Sequence, residues 1–376
     1  MQALSEKIKT EAYRLGFSLA GITTAGPPEH FDFYTGWLTH GYHGEMGYLE
    51  TDRARSRRSD PRRILPECES ILMLGFPYDA ARSDLESPGP ERGRIASYAW
   101  GFDYHDIIRP KLEALVRFIE QEAGRPVPNR FYVDTGPVLE RDFSQQAGLG
   151  WIGKNTCLIH PRRGSYFFLA EILLGCKLDS DPAFATDHCG SCTRCIEACP
   201  TGCILPDRTL DAARCISYLT IELKGPIPIP LRAQIGDWVF GCDVCQQVCP
   251  WNIRFSPEQG DPGLRSNPES GQPILVDELA LNPEAFNHKF KDRPVKRAKR
   301  RGYLRNVAVA LGNTGSELAV PHLEQSLLDE DEPLIRGHAA WALGQIGGDQ
   351  ATVALQRAAQ TERDPYVLSE IEAVLR

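Results

Sequence analysis

No stretch of the 376-residue chain approaches the ~20 consecutive apolar residues of a membrane-spanning helix. The most apolar run, Tyr166 to Gly175, is short and is interrupted by Glu171. The opening segment, MQALSEKIKTEAYRLGF, mixes acids and bases on an amphipathic helical pattern and has the features of neither a secretory signal nor a twin-arginine leader. A cytoplasmic location is therefore expected, where cysteines are read as metal ligands before disulfides. A Walker A loop is missing. Gly148, Gly150 and Gly153 fit a GxGxxG spacing, but without the strand-before-helix context that a dinucleotide site needs. Excess positive charge is missing as well: 42 basic residues face 50 acidic ones, for a net charge of −8. Alone this argues against a nucleic-acid partner, although the distribution of charge matters more than its sum.

What the chain does have is cysteine concentrated between residues 189 and 249. Cys189, Cys192, Cys195 and Cys199, followed by Pro200, repeat the bacterial ferredoxin spacing, in which three thiolates hold one [4Fe-4S] cluster and the fourth crosses to a second. Cys242, Cys245 and Cys249 with Pro250 match the last three positions of the same pattern; Val239 stands where the first cysteine is missing, and Cys215 can replace it. The crossing rule assigns Cys189, Cys192, Cys195 and Cys249 to one cluster and Cys199, Cys215, Cys242 and Cys245 to the other. Two structural zinc sites are the competing reading, since CxxC pairs also suit tetrahedral zinc. Cys68, Cys157, Cys176 and Cys203 are left over and read as buried free thiols.

The length suggests two to three domains. Residues 1–180 alternate helical and strand patterns: Leu4–Leu15 and Pro110–Glu122 as helices, Ser70–Gly75, Arg130–Val133 and Tyr166–Leu174 as strands. Residues 181–255 carry the cysteines, and 256–376 begin with a Pro/Gly-rich linker, Ser256 to Pro273. The last hundred residues repeat with a period of 32: Leu311-Gly312 and Gly315 recur as Leu343-Gly344 and Gly347, the mark of HEAT-like helix pairs. Just before and into the first unit, Lys289, Lys291, Arg293, Lys296, Arg297, Lys299, Arg300, Arg301 and Arg305 are set against a single acid, Asp292. Such a stripe on an acidic protein suggests a polyphosphate partner, a solvated helix face being the alternative.

Asp134 follows an apolar strand and precedes a turn and helix, where a buried carboxyl can serve as a proton donor or, with Thr135, as a helix cap. Gly148 to Asn155 is a glycine-rich loop that can let a ligand approach the backbone, with Lys154 and Asn155 as polar contacts. His105, two residues from Asp103, reads as a satisfied structural histidine. No DxHxxG occurs, so the motifs by themselves point to no cobalamin.

The joint order of GFDYH, VDTGPVLER, GLGWIGKN, the two cysteine runs, SYLTIELKG between them and the C-terminal repeats resembles the epoxyqueuosine reductase family over essentially the whole chain. The resemblance implies an α+β architecture: a nitroreductase-like α/β cobalamin domain, a ferredoxin-like module with two [4Fe-4S] clusters, and α-helical HEAT-like repeats. It implies reduction of epoxyqueuosine to queuosine in a tRNA anticodon loop, two electrons passing singly through the clusters to cobalamin and Asp134 donating a proton. By position it places Arg57, Ser97, Asp134, Lys154, Asn155, Ser217, Thr220 and Asp243 at the corrin. It places Lys224, Arg293, Lys296, Arg297, Lys299, Arg300 and Arg305 on the anticodon stem-loop phosphates. A low-potential electron donor, no membrane and a monomer complete the expectation. The alternatives are a dehalogenase-like cobalamin reductase acting on a small molecule, and an electron-transfer module without chemistry of its own.

Overall fold

The structure, a computed structural model, describes residues 2–79, 91–256, 260–264 and 268–375; parts of the expected linker, 257–259 and 265–267, lie outside them. The chain forms two compact units, one of residues 1–80, 102–212 and 244–265, the other of 81–101, 213–243 and 266–376. Three consecutive segments were expected, so packing departs from chain order. The reason is visible in 213–243, whose Tyr218, Leu219, Ile221, Trp238, Val239 and Phe240 are buried in the second unit. A short cysteine segment has too little apolar surface for a core of its own and joins its neighbours' cores.

The first unit is built on a four-stranded antiparallel sheet. Strands β1 (Leu19–Thr24), β2 (Ser70–Pro77), β3 (Asn129–Tyr132) and β4 (Phe167–Leu174) lie in the order β1-β2-β4-β3. The central strands β2 and β4 carry nearly continuous apolar runs, as strands covered on both faces require. Helix α1 (Gln2–Arg14) packs on helix α2 (Tyr104–Ala123). Helix α2 buries Ile108, Leu112, Leu115, Val116 and Ile119, one stripe at helical spacing. It starts six residues before the expected Pro110 because Asp103 caps it, accepting the His105 backbone N–H at 3.1 Å. Gly124, in the left-handed region with φ 65°, ends it. After β3 the chain turns through Asp134 into helix α3 (Glu140–Gln146).

In the second unit, helix α4 (Ile216–Ile221) and strand β5 (Trp238–Phe240), paired in parallel with Arg94–Ile95, pack on a helical array. The array comprises α5 (Lys299–Thr314), α6 (Val320–Asp329), α7 (Pro333–Ile346), α8 (Gly348–Thr361) and α9 (Pro365–Leu375). The repeat has a packing cause. A Cβ on Gly312 would stand 2.9 Å from the Ala342 Cα, and one on Gly344 would stand 2.4 Å from a Val374 methyl. Both the glycines and their neighbours are 32 residues apart, so one helix–helix contact occurs twice.

Candidate active site

Asp134 sits in the left-handed region, φ 50°, a conformation that aspartate tolerates better than most residues. It does not cap the following helix: α3 has Leu139 at its N-cap position and no side-chain capping bond. Its carboxylate is held instead from α2. The Tyr104 hydroxyl donates to Asp134 Oδ2, and His105 Nε2 lies 3.0 Å from Oδ1. The other ring nitrogen of His105 lies 2.7 Å from Asp103 Oδ1. Between two carboxylates, first Asp103 and then Asp134, the imidazole is pushed up to about 10 and holds its proton at neutral pH. Tyr104 in turn stacks on Phe168 of β4 at 4.1 Å, which fixes the hydroxyl. The histidine expected to be structural is therefore part of the site, joined to the acid singled out from the sequence.

Behind this group lie two further acids. Glu140, in the first turn of α3, accepts a hydrogen bond from the Asp134 backbone. Glu171, on β4 and fully buried, interacts with Glu140 and Asp134. In the sequence Glu171 is only a charge that breaks an apolar run, and that interruption is the one signal it offers.

The cysteines of the first expected cluster are brought together. Cys189, Cys192, Cys195 and Cys249 line one cavity of about 240 Å3 with Lys154 and Trp251. Trp151 donates its indole N–H to Cys189 Sγ at 3.4 Å and packs edge-on against Trp251. Four converging thiols in an apolar, aromatic wall fit a cubane cluster by the chemistry of the donor set. Of the second set, Cys199 and Cys245 belong to the first unit and Cys215 and Cys242 to the second. Among the remaining cysteines, Cys68, Cys176 and Cys203 are buried as expected, while Cys157 is only half-buried. Cys203 Sγ lies 3.4 Å from Cys199 Sγ.

The glycine-rich loop is a β-hairpin, Trp151–Ile152 against Leu158–Ile159. Gly150, with φ 157°, leaves no room for a side chain because a Cβ would meet the Ile159 carbonyl at 2.1 Å. The chain itself, and not a ligand, makes that close approach. Lys154 spends its ammonium on the carbonyls of Gly190 and Cys192, at 2.8 and 3.0 Å, tying the hairpin to the cysteine turn. Asn155 is buried, its Oδ1 accepting the Cys157 N–H at 3.3 Å. Arg57 is half-buried on the helix Asp52–Ser59.

In the second unit, Ser97 donates its backbone N–H and hydroxyl to Asp243 at 2.7 and 2.8 Å; burial pushes that carboxyl up to about 6 against these bonds. Thr220 donates to the Ile216 carbonyl and accepts the Gly241 N–H, so its hydroxyl serves the backbone. Ser217 is half-buried.

The basic stripe departs from its expected lack of compensation. Lys289 pairs with Glu278, Arg297 with Glu222 at 2.6 Å, Arg300 with Glu330, and Arg301 approaches Glu332 at 3.9 Å. Arg293 donates to the Trp100 carbonyl at 3.0 Å and Lys224 to that of Ile221 at 3.0 Å. Arg305 departs from its expected place. Expected on tRNA phosphates, it is fully buried and donates to the carbonyls of Leu219, Leu223 and Gly225 and to Asn306, so it braces α5 on α4. Lys291, Lys296 and Lys299 are exposed without an acidic partner among the described residues.

Comparison with known proteins agrees with this arrangement. Residues 188–252 match the 4Fe-4S double cluster binding domain, 58–135 match epoxyqueuosine reductase QueG, DUF1730, and 299–376 match HEAT repeats. An epoxyqueuosine reductase of Pseudomonas aeruginosa is 40% identical over 347 residues, covering 92% of this chain and 95% of the relative. The chain belongs to the epoxyqueuosine reductase family. It is thus an oxidoreductase with a double 4Fe-4S domain and HEAT repeats. One epoxyqueuosine reductase crystal structure, with an epoxyqueuosine-modified tRNA-Tyr stem loop, aligns with TM-score 0.92 and 33% identity over 99% of this chain and 98% of that one. A second solved epoxyqueuosine reductase structure, from Bacillus subtilis and with that protein's Asp134 catalytic loop swung out of the active site, aligns with TM-score 0.90 and 32% identity over 99% and 98%. Among the described residues no helix is long and apolar enough to cross a membrane.

Proposed function

We propose that the chain reduces epoxyqueuosine to queuosine in the anticodon loop of tRNA, with Asp134 as the proton donor. The observation that carries this reading is the Asp134–His105 contact: a proton is stored on an imidazole 3.0 Å from a carboxylate that is partly open to a ligand. Removing an epoxide oxygen as water takes two electrons and two protons, and the first C–O bond to break leaves an alkoxide that needs one of those protons. Asp134 delivers it, His105 replenishes Asp134, and Tyr104 fixes the carboxylate's orientation.

The electrons need cofactors. Cys189, Cys192, Cys195 and Cys249 would hold one [4Fe-4S] cluster, and the crossing rule gives Cys199, Cys215, Cys242 and Cys245 to the other. A nitroreductase-like first domain would hold cobalamin, which when bound supplies the two-electron reductant, recharged by single electrons from the clusters. The donor set suits a corrin gripped by hydrogen bonds and packing. In the first unit Arg57 offers a half-buried polar end and Asn155 a buried amide; in the second Ser217 offers a half-buried hydroxyl, and the Ser97–Asp243 and Thr220–Gly241 bonds stiffen that unit's own backbone. Lys154 acts at one remove, through the cysteine turn.

Helix α5 supports a phosphate partner. It opens with Lys299, Arg300 and Arg301, three cations at the end of a helix that favours anions, an arrangement that an added phosphate would relieve. Lys296 and Lys299, with the flanking Arg293, Arg297, Arg300 and Lys224, would grip the anticodon stem-loop. The relative crystallised with a modified stem loop points the same way. Cluster-loaded protein given cobalamin and a low-potential reductant should show a base-off corrin spectrum and convert epoxyqueuosine tRNA. Failure to convert with both cofactors in place would overturn the reading.

A further inference from the structure

Glu171 is the least explained charged residue in the first unit. It lies in central strand β4, opposite Met73 of β2 and Tyr132 of β3, with no exposed surface. Neither of its carboxyl oxygens has a hydrogen-bond partner among the described residues, nor does Oε1 of Glu140. Burying polar groups unpaired is costly, and buried carboxyls without partners are seldom kept for stability alone. Both carboxyls neighbour Asp134: Glu140 accepts a hydrogen bond from its backbone, and Glu171 interacts with Glu140 and with Asp134.

We propose that Glu140 and Glu171 are a proton reserve behind Asp134, reloading the Asp134–His105 pair with the second proton of the reaction. This rests on the function proposed above. In that reaction both C–O bonds of the epoxide break, a C=C bond forms, two electrons arrive from the bound reductant, and two protons leave with the oxygen as water. The Asp134 side chain is 48% exposed, so a substrate that reaches it would cover the surface from which water could restore its proton. Its backbone meets the carboxyl of Glu140, which also feels the Asp134 charge. The two glutamates touch no substrate; they are positioning residues that act through Asp134.

The electrostatic surroundings agree. Glu140 is pushed up to about 8, by burial first and then by the Asp134 charge, with Arg141 and Arg58 opposing. Glu171 is raised by burial, then by Glu140 and Asp134. Tyr132, which faces it from β3, is itself raised by burial, with the charges of Arg57 and Arg130 opposing and that of Glu171 adding. Acids that cannot both ionise side by side hold protons at neutral pH.

The test uses holoenzyme with epoxyqueuosine tRNA in single turnovers across pH, comparing wild type with Glu140→Gln and Glu171→Gln. Each variant is the neutral isostere of a protonated acid, and cluster absorbance reports its folding. Wild type should lose rate as pH rises through about 8. Glu140→Gln should be slower by roughly ten- to a hundredfold at neutral pH, without that descending limb. Infrared spectra of the protein without tRNA should show a protonated-carboxyl band that the double variant loses. Rates within about twofold of wild type with an unchanged pH profile, or an infrared spectrum without that band, would overturn the reserve. If one variant loses its clusters, the other decides. If wild type itself converts nothing, the function falls, and the infrared comparison still decides whether the pair holds a proton.

Discussion

His105 Nε2 stands 3.0 Å from Asp134 Oδ1, while the opposite ring nitrogen is anchored at 2.7 Å to Asp103. One imidazole thus ties the tip of a strand-end loop to the first turn of α2, and its charge is set by the two acids that it joins. Replacing His105 by Gln should leave the clusters intact and slow turnover by ~10²-fold, the usual scale for loss of a proton-transfer group. Single-turnover rates measure this.

The same residue predicts a pH dependence of stability. The folded protein binds the imidazole proton up to about pH 10, whereas the unfolded chain releases it near the ordinary value of 6.5. The contribution of His105 is therefore complete below 6.5 and is lost as pH rises through 10. Urea midpoints of wild type and His105→Gln should converge over that window; a constant gap would contradict the charged assignment.

Trp151 offers a redox prediction. Its N–H···S bond to Cys189 favours the more negative, reduced state of a cluster held there. Trp151→Phe keeps an aromatic ring and removes the bond, so the potential of that cluster should fall in an EPR-monitored titration. An unchanged potential would place the indole outside the tuning shell.

For tRNA binding, Lys296 and Lys299 carry the sharper test because Arg297 and Arg300 already have acidic partners. Lys296→Glu with Lys299→Glu should weaken stem-loop binding and flatten its salt dependence, by about one unit of log–log slope for each phosphate no longer neutralised. A salt slope identical to wild type would make the lysines a solvated face.

Arg232 and Glu370 form a buried bidentate pair, with 2.7 and 2.6 Å contacts. Removing one partner as Glu370→Gln or Arg232→Met should cost about 3–5 kcal/mol in denaturant unfolding of the repeats. Replacing both by apolar residues should recover most of it.

Much of this was legible in the sequence. The thiolate spacing, the 32-residue repeat and the main strands follow from local periodicity, and Asp134 was marked by its place after a strand. What local reading missed was created by distance. Glu222, Glu278, Glu330 and Glu332 neutralise a basic stripe that has almost no nearby acid. Arg305 looked like its neighbours in the stripe, but the carbonyl ends of α4 and the following turn capture it. Glu171 became interpretable only when β3 and α3 brought Asp134 and Glu140 to it. The division into units escaped because discontinuous cores leave no compositional boundary.

Nucleoside mass spectrometry of epoxyqueuosine tRNA, incubated with cluster-loaded protein, cobalamin and a counted supply of low-potential electrons, tests the central claim most directly. The predicted result is queuosine, one oxygen lost for every two electrons consumed, with turnover nearly abolished in Asp134→Asn although that variant keeps its clusters and cobalamin. Unchanged epoxyqueuosine in the presence of both cofactors, or undiminished conversion by Asp134→Asn, would contradict it.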